Sequence, residues 1–415
     1  MKQLKAIVLG GTNSHTCLIH NLKMRGYHTI LVDYNENPPA KEAADEHFLE
    51  STLDFEQVTG IAQKENVDLV ISTSVDQANV TACYVGEKLG LPIPYSFNTA
   101  FQISDKTSMK TLLKQGNIPT SNFIFVNGSE EFSMNHLNLP LVVKPADSNG
   151  SKGVRRVDTI SELQKYSIEA LSLSRSKKVI IEEFVEGVEI GVDCFIADNH
   201  AHIIAMHRKR KPQIKDGSVM FSLGSISPPE VSNNAKQKIQ YIANQIAKIF
   251  QLNNTPLIIQ LIINDDNVSV VEFAPRIGGG LNFKTIKLFT GFDIIDATVD
   301  SFLGIKVKPV YKVTESYYSE NHIYTDTGIF GKITGYKKLL EEEVLVSFFP
   351  NKTHGMVIYS GKASKDRAAS FIVKGETINE IITKVQQTLD TVNIFDVNGN
   401  EIAFRHNYQH KNLLF

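Results

Sequence analysis

The chain has 415 residues, 42% apolar and 21% charged, with a formal net charge of -2. That length exceeds a single hydrophobic core, so two or three domains are expected. The near-neutral balance excludes a global electrostatic case for nucleic acid or an anionic membrane.

Taken in order, "KAIVLG" (5–10) reads as a strand and "SHTCLIHNLKMRG" (14–26) as a helix ended by Gly26. "HTILVD" (28–33) is a strand, Phe55 to Glu65 a helix, "VDLVIST" (67–73) a strand and Asp76 to Leu89 a helix. Unbroken apolar strands alternating with helices imply a parallel sheet covered on both faces. "GLPIPYSFNTA" (90–100) reads as a proline-rich break. "DKTSMKTLLKQGNIPTSNF" (105–123) reads as a capped helix stopped by Gly116 and Pro119. Strands, a soft loop and one helix are expected over 123–184, then a hairpin of 189–197 and 201–207 around "DNH". A long helix over 232–250 precedes the strands "LIIQLII" and "VSVVEFA"; the last hundred residues mix short strands with a helix from Ile378 to Leu389.

The apolar run Ala6 to Leu9 is too short for a signal peptide, and no stretch is long enough to span a membrane. Cys17, Cys83 and Cys194 lie far apart with no C-x-x-C pair. A soluble, cytoplasmic protein is the expectation.

Four stretches carry chemistry. Gly10-Gly11 after the first strand and Asp33 ending the second imitate a dinucleotide site, but G-x-G-x-x-G is absent. In "VVKPADSNGSKGV" (142–154), small residues permit close backbone approach to an anion, with Lys144 as a fixed cation; taken alone, the loop also reads as a hairpin turn. "VIIEEFVEGVEIGVDCF" (179–195) drives Glu182-Glu183 and Glu189 into apolar surroundings. It reads either as a strand end reaching water or as a hinge offering backbone groups and carboxylates to a nucleoside. In "HRKRK" (207–211), strand periodicity lets Lys209 and Lys211 point together into a cleft.

The sharpest signal is "LIIQLIINDDNVSVVEFAPRIGGG" (257–280), which places Gln260 and Glu272 at the centres of two strands. A two-residue turn at Asp265-Asp266 pairs Asn264 with Asn267 and puts Gln260 and Glu272 on opposite faces. A three-residue loop, Asp265 to Asn267, sets them directly across from one another, with Asn267 left-handed. The second register is predicted, because it converges two oxygen ligands as Mg²⁺ requires. Arg276 adds a planar cation beside the flexible glycines.

Together these stretches resemble the ATP-grasp superfamily: "SDKTSMK" with Lys106, the Lys144 loop, "EEFVEGVE", then Gln260 and Glu272 followed by Arg276, in that order. The likeness covers about residues 1–305, and its carboxylate–amine ligase, carbamoyl phosphate synthetase-like and biotin carboxylase-like branches are the nearest in pattern. It implies an α/β and α+β chain. A parallel αβα domain over 1–104 would precede a two-subdomain ATP-grasp domain over 105–305, with its lid at roughly 115–184. An α+β region over 306–415 would follow. ATP and Mg²⁺ (or Mn²⁺) are the implied cofactors. Lys106 and Lys144 would contact phosphates, and Gly150, Ser151, Lys152 and Gly153 would close over them. Glu182, Glu183 and Val185 would hold adenine and Glu189 the ribose. Gln260 and Glu272 would bind the metal. Arg276, Lys144 and Lys211 would serve the reaction. One departure stands out: Ala274 occupies the place where many members carry a metal-binding asparagine, leaving a second ion to Asn282 or a water.

The reading is an ATP-dependent ligase that activates a small carboxylate, an amino acid or similar, as an acyl phosphate and joins it to an amine. Alternatives are a carboxyphosphate- or carbamate-activating enzyme and a nucleotide-binding regulator without turnover. Substrate choice is expected around Thr12 to His15, Ser74 to Gln77 and Gly278 to Phe283. Partners are small molecules, with no nucleic acid or membrane; a homodimer is the oligomeric expectation.

Overall fold

The computed structural model describes residues 2–127, 136–148, 152–211, 221–360 and 364–404. The first layer comprises β1 (Leu4–Leu9), α1 (Asn13–Met24), β2 (Tyr27–Val32), β3 (Glu46–Phe48), α2 (Phe55–Glu65), β4 (Leu69–Ile71) and α3 (Asp76–Leu89). Its parallel sheet runs β3-β2-β1-β4. Ala6, Ile7, Val8 and Leu9 are all fully buried, as expected of a strand covered on both faces. From β1 the chain passes to β2 and β3 on one side and returns to β4 on the other. That reversal opens a crevice beyond the carboxyl ends of β1 and β4, where open α/β sheets place ligands.

Two helices follow, α4 (Phe97–Ser104) and α5 (Lys106–Gln115). The proline-rich break thus gives way to a helix at Phe97, capped by the Ser96 side chain accepting the Thr99 N–H. Asp105 caps α5 by accepting the Ser108 N–H, which sets Lys106 at its first turn. The next unit holds β5 (Phe123–Asn127), β6 (Leu141–Pro145), β7 (Arg155–Val157), α6 (Ile160–Leu173) and β8 (Lys178–Glu183). Its antiparallel sheet, β5-β8-β6-β7, packs Val143, Val157 and Ile181 against Leu163 and Ala170 of α6.

The largest sheet draws on β9 (Val188–Ala197), β10 (His200–Arg210), β11 (Gly224–Ser227), α7 (Asn233–Ile249), β12 (Thr255–Asn264) and β13 (Asn267–Ala274). Beyond them lie α8 (Asn282–Thr290), α9 (Ile294–Phe302), β14 (Tyr317–Tyr324), β15 (Gly328–Thr334), α10 (Tyr336–Glu341) and β16 (Ser347–Pro350). The described chain closes with β17 (Val357–Ile358), β18 (Arg367–Gly375), α11 (Ile378–Thr391) and β19 (Asn393–Asp396). The antiparallel order is β13-β12-β9-β10-β11-β14-β18-β16, so the sheet continues past residue 305 into the final segment. On one face, Ile190, Val192, Ile259 and Leu261 pack against Ile239, Ile242 and Ile246 of α7. The alternate residues, Gly191 and Gln260 among them, therefore face the other way.

The turn between β12 and β13 differs from the predicted loop. Asn264 pairs with Asn267 across a two-residue turn, and Asp265, not Asn267, takes positive φ (53°). A β-bulge then shifts the ladder between Gln260 and Leu261, so Val270 pairs with Leu261 while Glu272 pairs with Gln260. The predicted pairing of the two side chains holds, but the extra residue sits in the strand at Val271 rather than in the turn.

Candidate active site

The floor of the site is the face of the large sheet opposite α7. Gln260 lies directly across from Glu272 on one side and from Gly191 on the other. Lys106 reaches over from α5, its Nζ 3.7 Å from Glu272 and 2.6 Å from the Ser148 carbonyl oxygen. Asp76, Ser104, Lys106, Gln260, Glu272 and Arg276 line the cleft there.

Behind it is a buried charge cluster between α5 and the β5-β8-β6-β7 sheet. The Glu182 carboxylate receives Lys144 Nζ at 2.7 Å, Lys110 Nζ at 3.1 Å and the Ser121 hydroxyl at 2.8 Å. Lys110 also donates to Thr120 Oγ1 at 2.6 Å, and Thr120 donates to the Val270 carbonyl at 2.7 Å, which ties the cluster to β13. Burial opposes ionisation of Glu182, but the two ammonium groups prevail and hold its carboxyl at about 2. Burial pushes Lys110 down to about 8 against the pull of Glu182. Lys144 approaches Glu182 Oε1 off the hydrogen-bonding direction, so that buried oxygen has charge beside it and no hydrogen-bond donor. Among the described residues the Val185 amide is likewise without a hydrogen bond.

These features fit ATP and magnesium. A buried carboxylate and an unpaired amide suit the donor and acceptor edge of an adenine ring. Glu272 and Gln260 supply hard oxygen ligands; among the described residues no cluster of three or more His, Cys, Asp or Glu could hold a metal. Two protein ligands suit Mg²⁺, which keeps waters and phosphate oxygens in its shell.

Several expected roles change. Glu183 turns its side chain to Asn122 and Asn138 and donates its N–H to the Asn122 carbonyl, leaving Val185 as the available amide. Glu189 is not a free ribose acceptor: Lys209 and Lys211 converge on its carboxylate, and against the effect of burial they hold it at about 2. For the same reason Lys211 is a neutralised cation rather than one aimed at the reaction. Arg276 lines the cleft, but Asp76 grips its Nε and Nη2 and the Ile277 carbonyl takes Nη1, so it too is paired rather than open. Lys152 is exposed, and its carbonyl accepts the Ser148 hydroxyl. Gly153 has positive φ (73°). Gly150 and Ser151 lie outside the described residues.

Ser14 bonds Thr73 and Ser74 at the switch-point crevice, Asp76 grips Arg276, and Asn282 donates to Asp193. The three stretches expected to set substrate choice thus contribute to polar contacts around the cleft and the crevice. That contact also commits the Asn282 amide group to Asp193. Sequence reasoning missed Lys110, Asp193, His207 and Glu320. The available signals were the i, i+4 spacing of Lys106 and Lys110 and single charges within apolar strands.

Comparison with known proteins agrees with this geometry. Residues 137–284 match the ATP-grasp domain family. The carbamoyl phosphate synthase large chain of Clostridium acetobutylicum is 27% identical over 305 residues, 70% of this chain and 28% of that protein. A phosphoribosylamine–glycine ligase of Methanocella arvoryzae is 26% identical over 326 residues, 72% of this chain and 74% of that one. An L-amino acid ligase from Bacillus licheniformis shares the fold, with a TM-score of 0.77 at 18% identity over 95% of this chain and 100% of that one. The relatives this chain matches are ATP-dependent ligases of the class that forms C–N bonds. The ATP-grasp match is to residues 137–284, and the relatives and solved structures similar to the chain are ATP-grasp enzymes that work with Mg-ATP. The chain spans only about a quarter of the carbamoyl phosphate synthase chain. No described helix is long and apolar enough to cross a membrane.

Proposed function

We propose that this protein activates a small carboxylic acid, an amino acid or a similar molecule, as an acyl phosphate and joins it to an amine. The observation that carries the reading is the placement of Glu272 across from Gln260, with Lys106 3.7 Å from the carboxylate. Bound Mg-ATP would supply the phosphoryl group and much of the charge neutralisation around it. Glu272 and Gln260 would hold the ion, Lys106 and Lys144 would face the phosphates, and Glu182 with the Val185 amide would hold the base. The acid's oxygen attacks the γ-phosphorus, ADP departs, and the amine then displaces phosphate. Fixing the reactants in line accounts for most of what such a site contributes. Arg276 orients through Asp76, so the N-terminal layer and the cleft act on the acid together.

The likeness to carbamoyl phosphate synthase supports a second reading in which bicarbonate or carbamate is the acid. ADP release measured over a panel of proteinogenic L-amino acids, alone and in pairs, tests the first. Acid- and amine-dependent release that vanishes in Glu272→Gln supports it. Release driven by bicarbonate alone supports the second, and no stimulated release sinks both.

A further inference from the structure

The large sheet carries a row that runs straight across four strands: Glu272, Gln260, Gly191, His207. Each is directly opposite the next, so all four share the floor face. Neighbouring strands are about 4.8 Å apart, which puts the His207 backbone about 10 Å from that of Gln260. The imidazole extends over Gly191, halfway across that gap. A Cβ at Gly191 would overlap His207 Nε2 and Cε1, so the Nε2 edge of the ring covers the glycine, which separates it from the metal-binding pair.

The ring is held from the far side. Asp193, also on β9, meets His207 Nδ1 at 3.1 Å, and the two are 2% and 5% exposed. Asn282 at the start of α8 donates to Asp193 Oδ1 at 3.2 Å and fixes the carboxylate in turn. Gly278 makes room for that amide, since a Cβ there would overlap Asn282 Nδ2. A carboxylate only accepts, so Nδ1 carries a proton, and in the neutral ring the lone pair is on Nε2. The floor face also bears Lys209 on β10 and Glu320 on β14. Burial raises the Glu320 carboxyl, and His207 is among the groups that oppose the rise.

We infer that His207 is the proton acceptor for the attacking amine, oriented by Asp193 and Asn282. The inference rests on the ligase reading above. In the second step the amine lone pair forms the C–N bond, and the C–O bond to phosphate breaks with its electrons leaving on phosphate. The proton released from nitrogen passes to Nε2, which returns it to the departing phosphate or to water. The burial of this array supports a chemical role: two glycines are spent to place three polar side chains where apolar ones would pack more cheaply.

The test compares nucleophiles. The full chain is assayed with Mg-ATP and the panel of L-amino acids as acids, and either an amino acid or hydroxylamine as the amine. Hydroxylamine is unprotonated near neutral pH and depends little on a base. In His207→Gln, turnover with ordinary amines should fall about a hundredfold or more, the usual contribution of a general base. Hydroxamate formation should fall by less than about tenfold. Asp193→Asn, which spoils the tautomer and keeps the shape, should show the same split. Equal losses with both nucleophiles, or no loss with either, overturn the assignment. If the unaltered protein forms no hydroxamate from any acid, the ligase reading fails and takes this inference with it.

Discussion

Replacing Glu182 by Gln keeps the shape of the side chain and removes the counter-charge of two buried ammonium groups. The carboxyl sits at about 2 instead of the ordinary 4.5, a difference that corresponds to roughly 3 kcal/mol of preference for the ionised form. That agrees with the 3–5 kcal/mol typical of breaking a buried pair. Lys110 is fully buried and Lys144 nearly so, so water cannot replace the lost charge. The variant should therefore lose about 3 kcal/mol at neutral pH. Because tryptophan is absent, urea unfolding followed by far-UV circular dichroism is the suitable assay. The pH dependence carries the sign. In the native protein, the stability contributed by Glu182 is present above 4.5 and is lost as pH falls through about 2. In the variant, Lys110 loses the attraction that keeps it as high as about 8. The unfolded chain then binds more protons than the folded one on the alkaline side, so the variant gains stability as pH rises. The deficit should narrow between neutral and alkaline pH. Adding Lys110→Met should recover part of the loss, because one orphaned ammonium then remains instead of two. A loss below about 1 kcal/mol, or a deficit that widens with rising pH, would refute this account of the cluster.

Deleting Val271 should leave Glu272 opposite Gln260, since Leu261 already pairs with Val270 and the bulge residue is what is removed. Glu272-dependent ADP release should survive the deletion, whereas deleting Asp266 from the turn should abolish it. Burial pushes the His15 imidazole down to about 3, despite a backbone hydrogen bond that opposes the shift. Its ring resonances should therefore not move between roughly pH 5 and 8, and a titration in that window by NMR would show the ring to be solvated. His15 also destabilises the fold as pH falls from 6.5 toward about 3, because only the unfolded chain takes up the proton there.

The elements with strong periodicity were legible. The helices Phe55–Glu65 and Asp76–Leu89 stand where the pattern puts them, because their apolar spacing agrees with left-handed C-caps at Asn66 and Gly90, and Asp54 caps the first at its N-terminus. The helix α4 was hidden by the prolines just before it: Pro92 and Pro94 read as a break, while the Ser96 cap that starts a new helix is a weaker local signal. The site lysines, Gln260 and Glu272 were visible as chemistry in an ordered string of motifs. Their partners were not. Glu189 looks like a free carboxylate until β10 brings Lys209 and Lys211 beside it, and Arg276 looks like a free cation until α3 presents Asp76. Contacts between residues two hundred positions apart leave no trace in local spacing.

The bulge shows how the two levels of information differ. Val268 and Val270 face α7 with strict alternation, and so does Phe273, three residues further on. An apolar set that steps by two and then by three implies an extra residue in the strand, and it places that residue at 271 or 272. A three-residue turn would also bring Glu272 opposite Gln260, but it would turn Val268 and Val270 out of the core. Burying those two valines stabilises the sheet by about 1.5–3 kcal/mol each. The tight turn with a bulge is the arrangement that satisfies both the core and the site. The bulge also leaves Val271 and Glu272 together opposite Gln260, a local twist that aims the carboxylate toward Lys106 rather than along the strand.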